Sequence, residues 1–446
     1  MWYRNGGLIP MKKAQSYEEM IRVFTPYPLD GENYKEFYVN TSKERSIMNA
    51  SKEMVNCFKF DIDPYMKVLF MGHKGCGKST EIRNISEQLK DKYEIVNFSI
   101  ANEVELQGIE YIDVIFVIME QLLEYVSTHP EIKIDDELLN QMYDYWYQAK
   151  IVENIHAEQY EKEVEAQAKL AFLNTISTYC KGILRAGSES KVTIRREIEP
   201  RLSVLLSMMN DLIGDINRQL KQKQNKELLV VIEDMDKLDS EEAKHIFVMH
   251  RRPLISLKIK MIISFPIYMV YTSDFSMVKD DFNKCILYSM IKVNNSDFTR
   301  YEPGIQILKE IVAKRMELTL IDNKALDYLV VKSGGAIRDL FGMLSNAALY
   351  ELNQTEPESC ITEDVAKKMV MMLKSEYERN ITSEEQYKKL IQIYREPQPT
   401  NTDAALRDLL KTLSVIEYNG ERWCGVHPVL VDFLKEKGAI GCNAGI

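Results

Sequence analysis

A glycine-rich segment at residues 72–79, Gly-His-Lys-Gly-Cys-Gly-Lys-Ser, limits the fold of this chain more than any other feature of the sequence. It fills every fixed position of the pattern G-x-x-x-x-G-K-[ST]. The apolar run at 67–71 is typical of a buried strand, and residues 80–90 have helical periodicity. A strand, a glycine-rich turn and a helix in this order predict a β-α unit whose turn surrounds a bound anion.

The turn and the start of its helix form a candidate nucleotide-binding site. Glycines let backbone N–H groups point inward around phosphate oxygens, and the positive end of the helix faces the same anion. Lys78 adds a positive charge near the β and γ oxygens, and Ser79 is a candidate magnesium ligand. A turn that contains Lys-Ser by chance is the alternative, and the flanking strand and helix argue against it. The candidate cofactor-binding residues are Gly72, His73, Lys74, Gly75, Cys76, Gly77, Lys78, Ser79 and Thr80.

The length and composition describe a multidomain globular protein. With 446 residues the chain has room for about two to four domains. Its net charge of -10 disfavours a general affinity for nucleic acid or for an anionic membrane. The cysteines form no C-x-x-C pair, which supports neither a zinc site nor a disulfide framework. Because neither a signal-peptide pattern nor a run of roughly 18 apolar residues is present, we expect a soluble cytoplasmic protein without membrane contact.

Changes in composition along the chain suggest four regions. Proline and glycine punctuate the first part, whereas residues 128–225 are highly charged, poor in glycine and helical in periodicity. Apolar runs at 67–71, 228–232 and 260–266, with a strand at 94–100, predict an α/β fold with a parallel sheet. The predicted regions are an irregular N-terminal arm at 1–40, a P-loop core at 41–300 with a helical insertion at about 128–225, a helical lid at 301–375 and a winged-helix-like unit at 376–446.

Two carboxylates follow the apolar run at 228–232. Glu233 and Asp234 lie where ligands gather in a doubly wound sheet, at the carboxyl ends of the strands. In phosphate-loop enzymes one such acid supports magnesium and the next positions the attacking water. The usual order is aspartate then glutamate, and because one methylene moves a carboxylate by roughly 1.5 Å, the interchanged pair predicts secure binding and slow turnover. Asp236 is a third acid, either a partner of this site or a cap of the next helix.

Two more polar residues are spaced to suit the same site. Ser264 lies near the end of the run at 260–266, where it either reaches the γ-phosphate or is satisfied by backbone groups. Arg338 follows two glycines at the start of a predicted helix, where a guanidinium can grip the γ-phosphate and respond to its loss. The candidate catalytic residues are Lys78, Glu233, Asp234, Ser264 and Arg338, and the candidate magnesium ligands are Ser79, Glu233 and Asp234.

The order of these motifs resembles the AAA+ ATPases over roughly residues 40–440. Within them the chain is most similar to the origin-recognition-like and STAND-like branches, which include bacterial ATPases with a Gly-His-x-Gly-Cys-Gly-Lys-Ser-Thr-Glu loop. The resemblance implies ATP and Mg2+ as cofactors, Ser264 as the first sensor and Arg338 as the second. It also implies a homo-oligomer in which a neighbour's arginine completes each site, and Arg251 and Arg252 are the candidates for that arginine.

The C-terminal region predicts a small unit of one helix and one hairpin. Residues 404–413 have a helical pattern, 414–418 and 422–426 are typical of short strands, and Asn419-Gly420 is a strong two-residue turn signal. A helix followed by a hairpin suggests a winged helix. Its basic residues can face phosphates, but nearby acids dilute their field, so a protein-binding role and a nucleic-acid-binding role stay equally open.

Three functions are compatible with these residues. The leading one is an ATP-driven switch that assembles with itself or with a separate effector protein, and the resemblance alone places it in bacterial antiviral defence. The second is an ATP-dependent loader or remodeller of DNA or RNA that uses the winged helix and a basic cluster between Arg185 and Arg201. The third is a nucleotide-binding scaffold with little turnover, because the acidic pair is interchanged.

Overall fold

A five-stranded parallel sheet forms the centre of the described part of the chain. The computed structural model describes residues 11–45, 48–148, 189–399, 402–418 and 423–441, with the single positions 171, 175, 178 and 182. The strands of the sheet are hydrogen-bonded in the order β2-β3-β4-β1-β5, and every neighbouring pair is parallel. The predicted α/β class with a parallel sheet is confirmed. The strands are β1 Lys67–Met71, β2 Tyr93–Ser99, β3 Glu227–Glu233, β4 Lys260–Phe265 and β5 Lys284–Leu287.

The central strands explain why this sheet forms. Every residue of β1 and β4 is buried, and their apolar runs suit strands that are covered on both faces. The register places Phe70 of β1 beside Ser264 of β4, and Ile232 of β3 beside Ile263 of β4. The carboxyl ends of these three strands therefore meet at one edge, which collects the glycine-rich turn, Glu233 and Ser264.

Four of these strands are predicted from the sequence, whereas β5 is not. That strand has only four residues, Lys284–Leu287, and only one of them is buried. A short strand at the edge of a sheet carries no continuous apolar run, so its place is set by pairing with β1.

Helices surround the sheet, and none within the described residues is long and apolar enough to span a lipid bilayer. Before β1 lie α1 Tyr17–Val23, α2 Gly31–Phe37, α3 Ser42–Arg45 and α4 Ala50–Lys59; between β1 and β3 lie α5 Lys78–Leu89, α6 Ile100–Glu103, α7 Tyr111–Thr128, α8 Asp136–Gln148, α9 Glu189–Ile198 and α10 Leu202–Gln224. Between β3 and β5 lie α11 Ser240–Lys244, a π-helical turn at His245–Met249, α12 Arg251–Ser256 and α13 Phe275–Asp281. After β5 come α14 Glu302–Arg315, α15 Asn323–Lys332, α16 Ile337–Leu352, α17 Glu363–Arg379, α18 Glu384–Arg395, α19 Ala404–Lys411, the strands β6 Val415–Tyr418 and β7 Trp423–Val426, and α20 Pro428–Glu436.

The N-terminal segment, predicted to be an irregular arm, contains the two short helices α1 and α2. Residues 1–10 lie outside the described part of the chain. Ser16 caps α1, because its side chain accepts from the N–H of Glu19. The segment packs on its own chain, and the ring of Phe24 lies with its centroid 5.2 Å from that of Phe341 in α16. It therefore forms one wall of the region between the sheet and α16.

The predicted helical insertion at 128–225 is largely helical where the structure describes it, in α8, α9 and α10. Arg185, one member of the predicted basic cluster, lies outside the described residues. Arg195 is an exception to that prediction, since it is buried and its guanidinium binds the carboxylates of Asp113 and Glu110. A buried charge needs such partners. This arginine therefore holds the insertion against the core and does not face a nucleic acid.

The C-terminal region forms the predicted helix and hairpin. Asp403 caps α19 by accepting from the N–H of Leu406 at 3.0 Å. β6 and β7 pair antiparallel, and the rings of Tyr418 and Trp423 stack with centroids 4.5 Å apart. The predicted turn lies outside the described residues, at 419–422. The winged-helix assignment of this unit stays a prediction.

Candidate nucleotide-binding site

The glycine-rich turn runs from β1 to α5 through two residues with left-handed backbone. Gly75 has a φ of 76° and Gly77 a φ of 97°, a region that other residues rarely adopt. At Gly75 an added Cβ would also lie 2.9 Å from the Cβ of Arg338. The N–H of Arg338 donates to the carbonyl O of Gly75 at 3.4 Å. The turn therefore needs glycine here, and its backbone closely approaches the start of α16.

Lys78, the first residue of α5, is buried and has three acceptors. Its Nζ lies 2.8 Å from the carbonyl O of Gly72, 2.9 Å from the carbonyl O of His73 and 2.8 Å from Oδ2 of Asp236. Burial acts to lower the pKa of Lys78, but the charge and hydrogen bond of the Asp236 carboxylate, with a further contribution from Cys76, raise that pKa above its ordinary value. Burial acts to raise the pKa of Asp236, but Lys78 holds it below its ordinary value. Asp236 is thus the partner of the lysine, a choice that the sequence leaves open.

Glu233 lies against the hydroxyl of Ser79. It is buried, accepts a hydrogen bond from Ser79 and lies with Oε1 3.0 Å from Nη1 of Arg83. Burial raises the pKa of Glu233 above its ordinary value, against the lowering effects of Arg83 and Ser79. The structure therefore brings together two of the three predicted magnesium ligands. Arg83 was not identified from the sequence, where its position one turn after Ser79 on the same helix is the available signal.

Asp234 is held by a different pair of groups. Its φ of 69° is uncommon for a residue other than glycine. Its Oδ2 accepts from Oγ of Ser99 at 2.5 Å, and its Oδ1 lies 2.9 Å from Nζ of Lys237. Ser99 ends β2 and lies beside Glu233 in the register of β2 and β3. The carboxylate predicted to position water is thus restrained by a hydroxyl and an ammonium.

Ser264 and Arg338 line the same cavity as the turn. Oγ of Ser264 is buried and accepts the backbone N–H of Met235 at 2.9 Å, which is the backbone-satisfied alternative for this serine. A hydroxyl that accepts in this way still has one proton to donate. Arg338 is the second residue of α16 and lies close enough to Lys78 to oppose its positive charge. Both predicted sensors therefore lie in the site.

One cavity joins these polar groups to an apolar wall. An apolar slot beside a phosphate-binding turn suits a nucleobase. This wall is not predicted from the sequence, although the run of proline and tyrosine at 26–28 is a signal for it. The polar end is lined by Lys74, Gly75, Gly77, Lys78, Ser79, Thr80, Glu233, Asp234 and Asp236, and the apolar end by Pro26, Tyr27, Pro28, Leu29, Phe37, Val39, Ile311, Ile337 and Phe341.

The remaining predicted cofactor-binding residues, Gly72, His73 and Cys76, do not line the cavity. Cys76 is buried, with its Sγ 3.8 Å from the carbonyl O of Tyr288. His73 is also buried, and its ring contacts the backbone of Glu417 in the C-terminal hairpin. The side chain of His73 therefore connects two parts of the chain, because tertiary packing sets its direction out of the turn, and its predicted cofactor role through the backbone of the turn stays a prediction.

Arg45 is a further residue that the sequence analysis does not place at the site. It is buried, and it donates from Nη2 to the carbonyl O of Cys76 at 2.7 Å and from Nη1 to the carbonyl O of Ser289 at 2.6 Å. Its Nε donates to Oγ1 of Thr41 at 2.7 Å, and its guanidinium lies 3.9 Å above the ring of Tyr288. One planar cation thus fixes the turn to the end of β5 and to α3.

Arg251 does not present a free guanidinium to a neighbouring subunit. It binds the carboxylate of Asp281 and the carbonyl O of Val248 in its own chain. Arg252 is exposed and stays the candidate for an arginine that completes a neighbour's site.

The sequence pattern of the KAP family P-loop domain matches residues 59–271. This range contains the turn at 72–79, the strands β1 to β4 and the three acids of the site. The chain contains a P-loop NTPase domain. The match covers just under half of the chain, and it relates the P-loop domain to the KAP family. The predicted origin-recognition-like or STAND-like branch stays a prediction.

Three solved structures are similar to the P-loop domain and its neighbouring regions. The Walker-type ATPase PABY2304 of Pyrococcus abyssi is 13% identical, with 93% of this chain and 99% of that chain covered and a TM-score of 0.45. CDC6P from Pyrobaculum aerophilum is 12% identical, with 93% and 98% covered and a TM-score of 0.40. The ORC2 protein of Aeropyrum pernix, in ADPNP and ADP complexes, is 11% identical, with 94% and 98% covered and a TM-score of 0.42. A comparison with curated proteins gave no match.

Proposed function

We propose that the P-loop domain binds ATP with Mg2+ and hydrolyses it slowly. The observation that carries this proposal is the cavity in which Lys78, Ser79 and Glu233 meet beside an apolar wall. Backbone N–H groups at the start of α5 and the Lys78 ammonium supply positive charge for the phosphates. The wall formed by the N-terminal segment and by α16 receives the base.

The surroundings of Ser79 suit Mg2+. Ser79 and Glu233 offer adjacent oxygen ligands, and Mg2+ prefers oxygen ligands while keeping several waters or phosphate oxygens. Among the described residues, no group of three or more His, Cys, Asp or Glu side chains is arranged to hold a metal ion by itself. We therefore expect Mg2+ to bind together with the nucleotide. When bound, it would neutralise charge on the β and γ oxygens.

The proposed catalytic groups act through position and charge. Lys78 exchanges its contacts with Asp236 and with the carbonyl O of His73 for phosphate oxygens, and Arg338 stabilises the γ-phosphate from α16. Asp234 orients the attacking water, with Ser264 on the neighbouring strand. Because Ser99 and Lys237 already restrain Asp234, we expect slow turnover.

A binding titration with a fluorescent ATP analogue and Mg2+ tests this proposal. Lys78→Ala should weaken binding at least about tenfold, because a buried ammonium is lost from the phosphates. Lys90→Ala is the matched control, since Lys90 follows the same helix, is exposed and pairs with Glu87 at 2.8 Å. It should bind as the wild type does. Equal binding by all three proteins, or no binding by the wild type at millimolar ligand, contradicts the proposal.

We also propose that ATP switches the arrangement of α14 to α16 and of the C-terminal unit. The chain further assembles, in this proposal, with itself or with an effector protein in the bacterial cytoplasm, within an antiviral system. Arg338 and Phe341 of α16 line the cavity, so their position depends on what occupies it. The resemblance to AAA+ ATPases supports the assembly. Particle mass should rise with ATP and Mg2+ for the wild type but not for Lys78→Ala. The same mass in all conditions contradicts the assembly.

A second candidate function is ATP-dependent binding of DNA or RNA, which the succession of α19 and the hairpin favours. Lys411 weakens it, because its Nζ lies 2.6 Å from Oδ1 of Asp239 and its charge is already paired. A titration with labelled DNA and RNA in the presence of ATP distinguishes the candidates. Binding that weakens steeply with salt supports this function, and no binding at low salt eliminates it.

The third candidate is a scaffold that binds nucleotide with little turnover. The restraint on Asp234 by Ser99 and Lys237 favours it. Phosphate release of several turnovers per minute that Asp234→Asn abolishes would exclude a scaffold.

A further inference from the structure

The side chain of His73 leaves the phosphate-binding turn and reaches the C-terminal hairpin. The residue is only 1% exposed, and its Nε2 accepts the backbone N–H of Glu417 at 2.7 Å. These residues are 344 positions apart in the sequence. The hairpin is thus hydrogen-bonded directly to the turn that lines the nucleotide cavity.

The chemistry of this bond requires a neutral imidazole. Burial, with a smaller contribution from the charge of Lys78, lowers the pKa of His73 to about 3. At ordinary pH the ring therefore keeps a lone pair on one nitrogen, and the contact with the N–H of Glu417 assigns that lone pair to Nε2. A charged ring would place an N–H opposite the N–H of Glu417, so the bond would be lost.

The N–H of Glu417 serves the turn and not the hairpin itself. Glu417 faces Cys424 in the register of β6 and β7, but the N–H of Cys424 donates to the carbonyl O of Pro397 at 2.7 Å. The two facing residues therefore form a pair without mutual hydrogen bonds. Exchange of the Glu417 amide with solvent reports directly on the bond to His73.

The next residue of the same strand holds the other side of the site. The hydroxyl of Tyr418 donates to the carbonyl O of Gly334 at 2.8 Å. Gly334 precedes α16, whose Arg338 donates its N–H to Gly75 of the turn. Two adjacent residues of β6 therefore contact both the phosphate-binding turn and the segment that carries Arg338.

Lys78 connects this arrangement to the phosphates. Its Nζ donates to the carbonyl O of His73 at 2.9 Å. Phosphate oxygens that bind the same ammonium compete with that carbonyl. Loss of the contact leaves the carbonyl O of His73 with the N–H of Cys76, at 3.4 Å, and so loosens the peptide and the ring that holds Glu417.

We propose that His73 is a positioning residue that docks the C-terminal hairpin on the phosphate-binding turn, and that triphosphate binding loosens this docking. The second part rests on the proposed nucleotide binding. Because coupling between two binding events is reciprocal, a hairpin that opposes ATP must also be opposed by it. Removal of the His73 contact therefore tightens ATP binding, whereas a merely structural role for His73 would weaken it.

The docking is tested without nucleotide, by hydrogen exchange of residues 414–418. His73→Leu removes the acceptor and should speed exchange of the Glu417 amide at least about tenfold. His73→Gln places an oxygen near the former Nε2 and should restore most of the protection. His129→Leu is the control, because the ring of His129 stacks on Tyr125 in α7, and it should leave exchange of the Glu417 amide unchanged. Wild-type exchange in His73→Leu overturns the proposal.

The coupling is tested by repeating the exchange with ATP and Mg2+, with occupancy measured in parallel from analogue fluorescence. The wild type should exchange about fivefold faster when occupied, and His73→Leu should bind ATP about fivefold more tightly. Unchanged or slower exchange in occupied wild type overturns the coupling. If no nucleotide binds, the proposed function fails, and the comparison without nucleotide still decides whether His73 docks the hairpin.

A second variant tests the docking by a change in the hairpin itself. Tyr418→Phe removes the bond to Gly334 and leaves the turn intact. It should also speed exchange of the Glu417 amide and tighten ATP binding. It replaces His73→Leu if that variant does not fold, and weaker ATP binding by Tyr418→Phe overturns the coupling.

Discussion

Lys78 and Asp236 form a buried ion pair in which Nζ and Oδ2 lie 2.8 Å apart and each side chain is 8% exposed. The pair holds the ammonium inside the turn, together with the carbonyl groups of Gly72 and His73. Removal of one member of such a pair leaves the other charge buried without a counter-charge. Phosphate oxygens can take the place of Asp236, so the stability of the site and its occupancy by nucleotide are linked.

Asp236→Asn should lower the free energy of unfolding by about 3 kcal/mol, because it leaves the charge of Lys78 unpaired. ATP with Mg2+ should restore part of this loss, so the ligand-induced rise in Tm should be larger in the variant than in the wild type. Denaturant unfolding and thermal shift measure the two effects. Asp91→Asn, at an exposed position, is the control. Equal stability of Asp236→Asn and wild type contradicts the prediction.

The ion pair of Lys78 and Asp236 also predicts that the stability of the protein falls at low pH. Lys78 keeps the pKa of Asp236 below its ordinary value, although burial acts to raise it. The contribution of Asp236 to stability is therefore complete when the pH is above the pKa of an unfolded aspartate, about 3.9. It is lost as the pH falls through the lowered pKa of Asp236 in the folded state. Unfolding measured against pH should show this loss in the wild type, and its persistence in Asp236→Asn would assign it to another group.

Glu233 should make Mg2+-dependent binding sensitive to pH. Burial raises its pKa above the ordinary value of about 4.3, and only the ionised carboxylate binds the ion. As the pH falls, the part of ATP binding that depends on Mg2+ should be lost at higher pH than for an ordinary glutamate. Titrations with and without Mg2+ across this range measure it. Glu233→Gln should lack the Mg2+ increment at every pH, and a full increment in that variant would refute the assignment.

Arg45→Met should lower the free energy of unfolding by at least about 2 kcal/mol and weaken ATP binding about tenfold. The cause is the loss of donors to buried acceptors on three segments, of which the carbonyl O of Cys76 lies in the turn. Arg45→Lys should not rescue either property, because one ammonium cannot reach all three acceptors. Arg379→Met, at an exposed position, is the matched control. Full rescue by lysine would show that charge alone matters.

Ser99→Ala should raise kcat a few-fold, because it releases one of the two groups that restrain Asp234. Asp234→Asn should abolish turnover while ATP still binds, since Lys78, Ser79 and Glu233 are unchanged. Steady-state phosphate release together with a binding titration separates kcat from affinity. Ser127→Ala, on the exposed side of α7, should change neither. Normal turnover in Asp234→Asn would remove this residue from the mechanism.

The sequence alone determined the turn at 72–79, the strands that end beside it and the identity of most polar groups at the sheet edge. These features depend on local rules. A buried parallel strand needs a continuous apolar run, as in β1 and β4, and a left-handed backbone needs glycine, as at Gly75 and Gly77. The carboxyl-terminal positions of Glu233 and Ser264 then follow from the strand order of a parallel sheet.

Only the tertiary structure decided which of these groups touch. It paired Asp236 with Lys78, placed Arg45 under the turn and bonded His73 to a residue 344 positions away. It also added β5 and the apolar wall from the N-terminal segment. Such contacts join segments that are distant in the chain, and their geometry depends on how every intervening element packs. No local pattern of residue types contains that information, because the direction of a buried side chain is set by its neighbours in space.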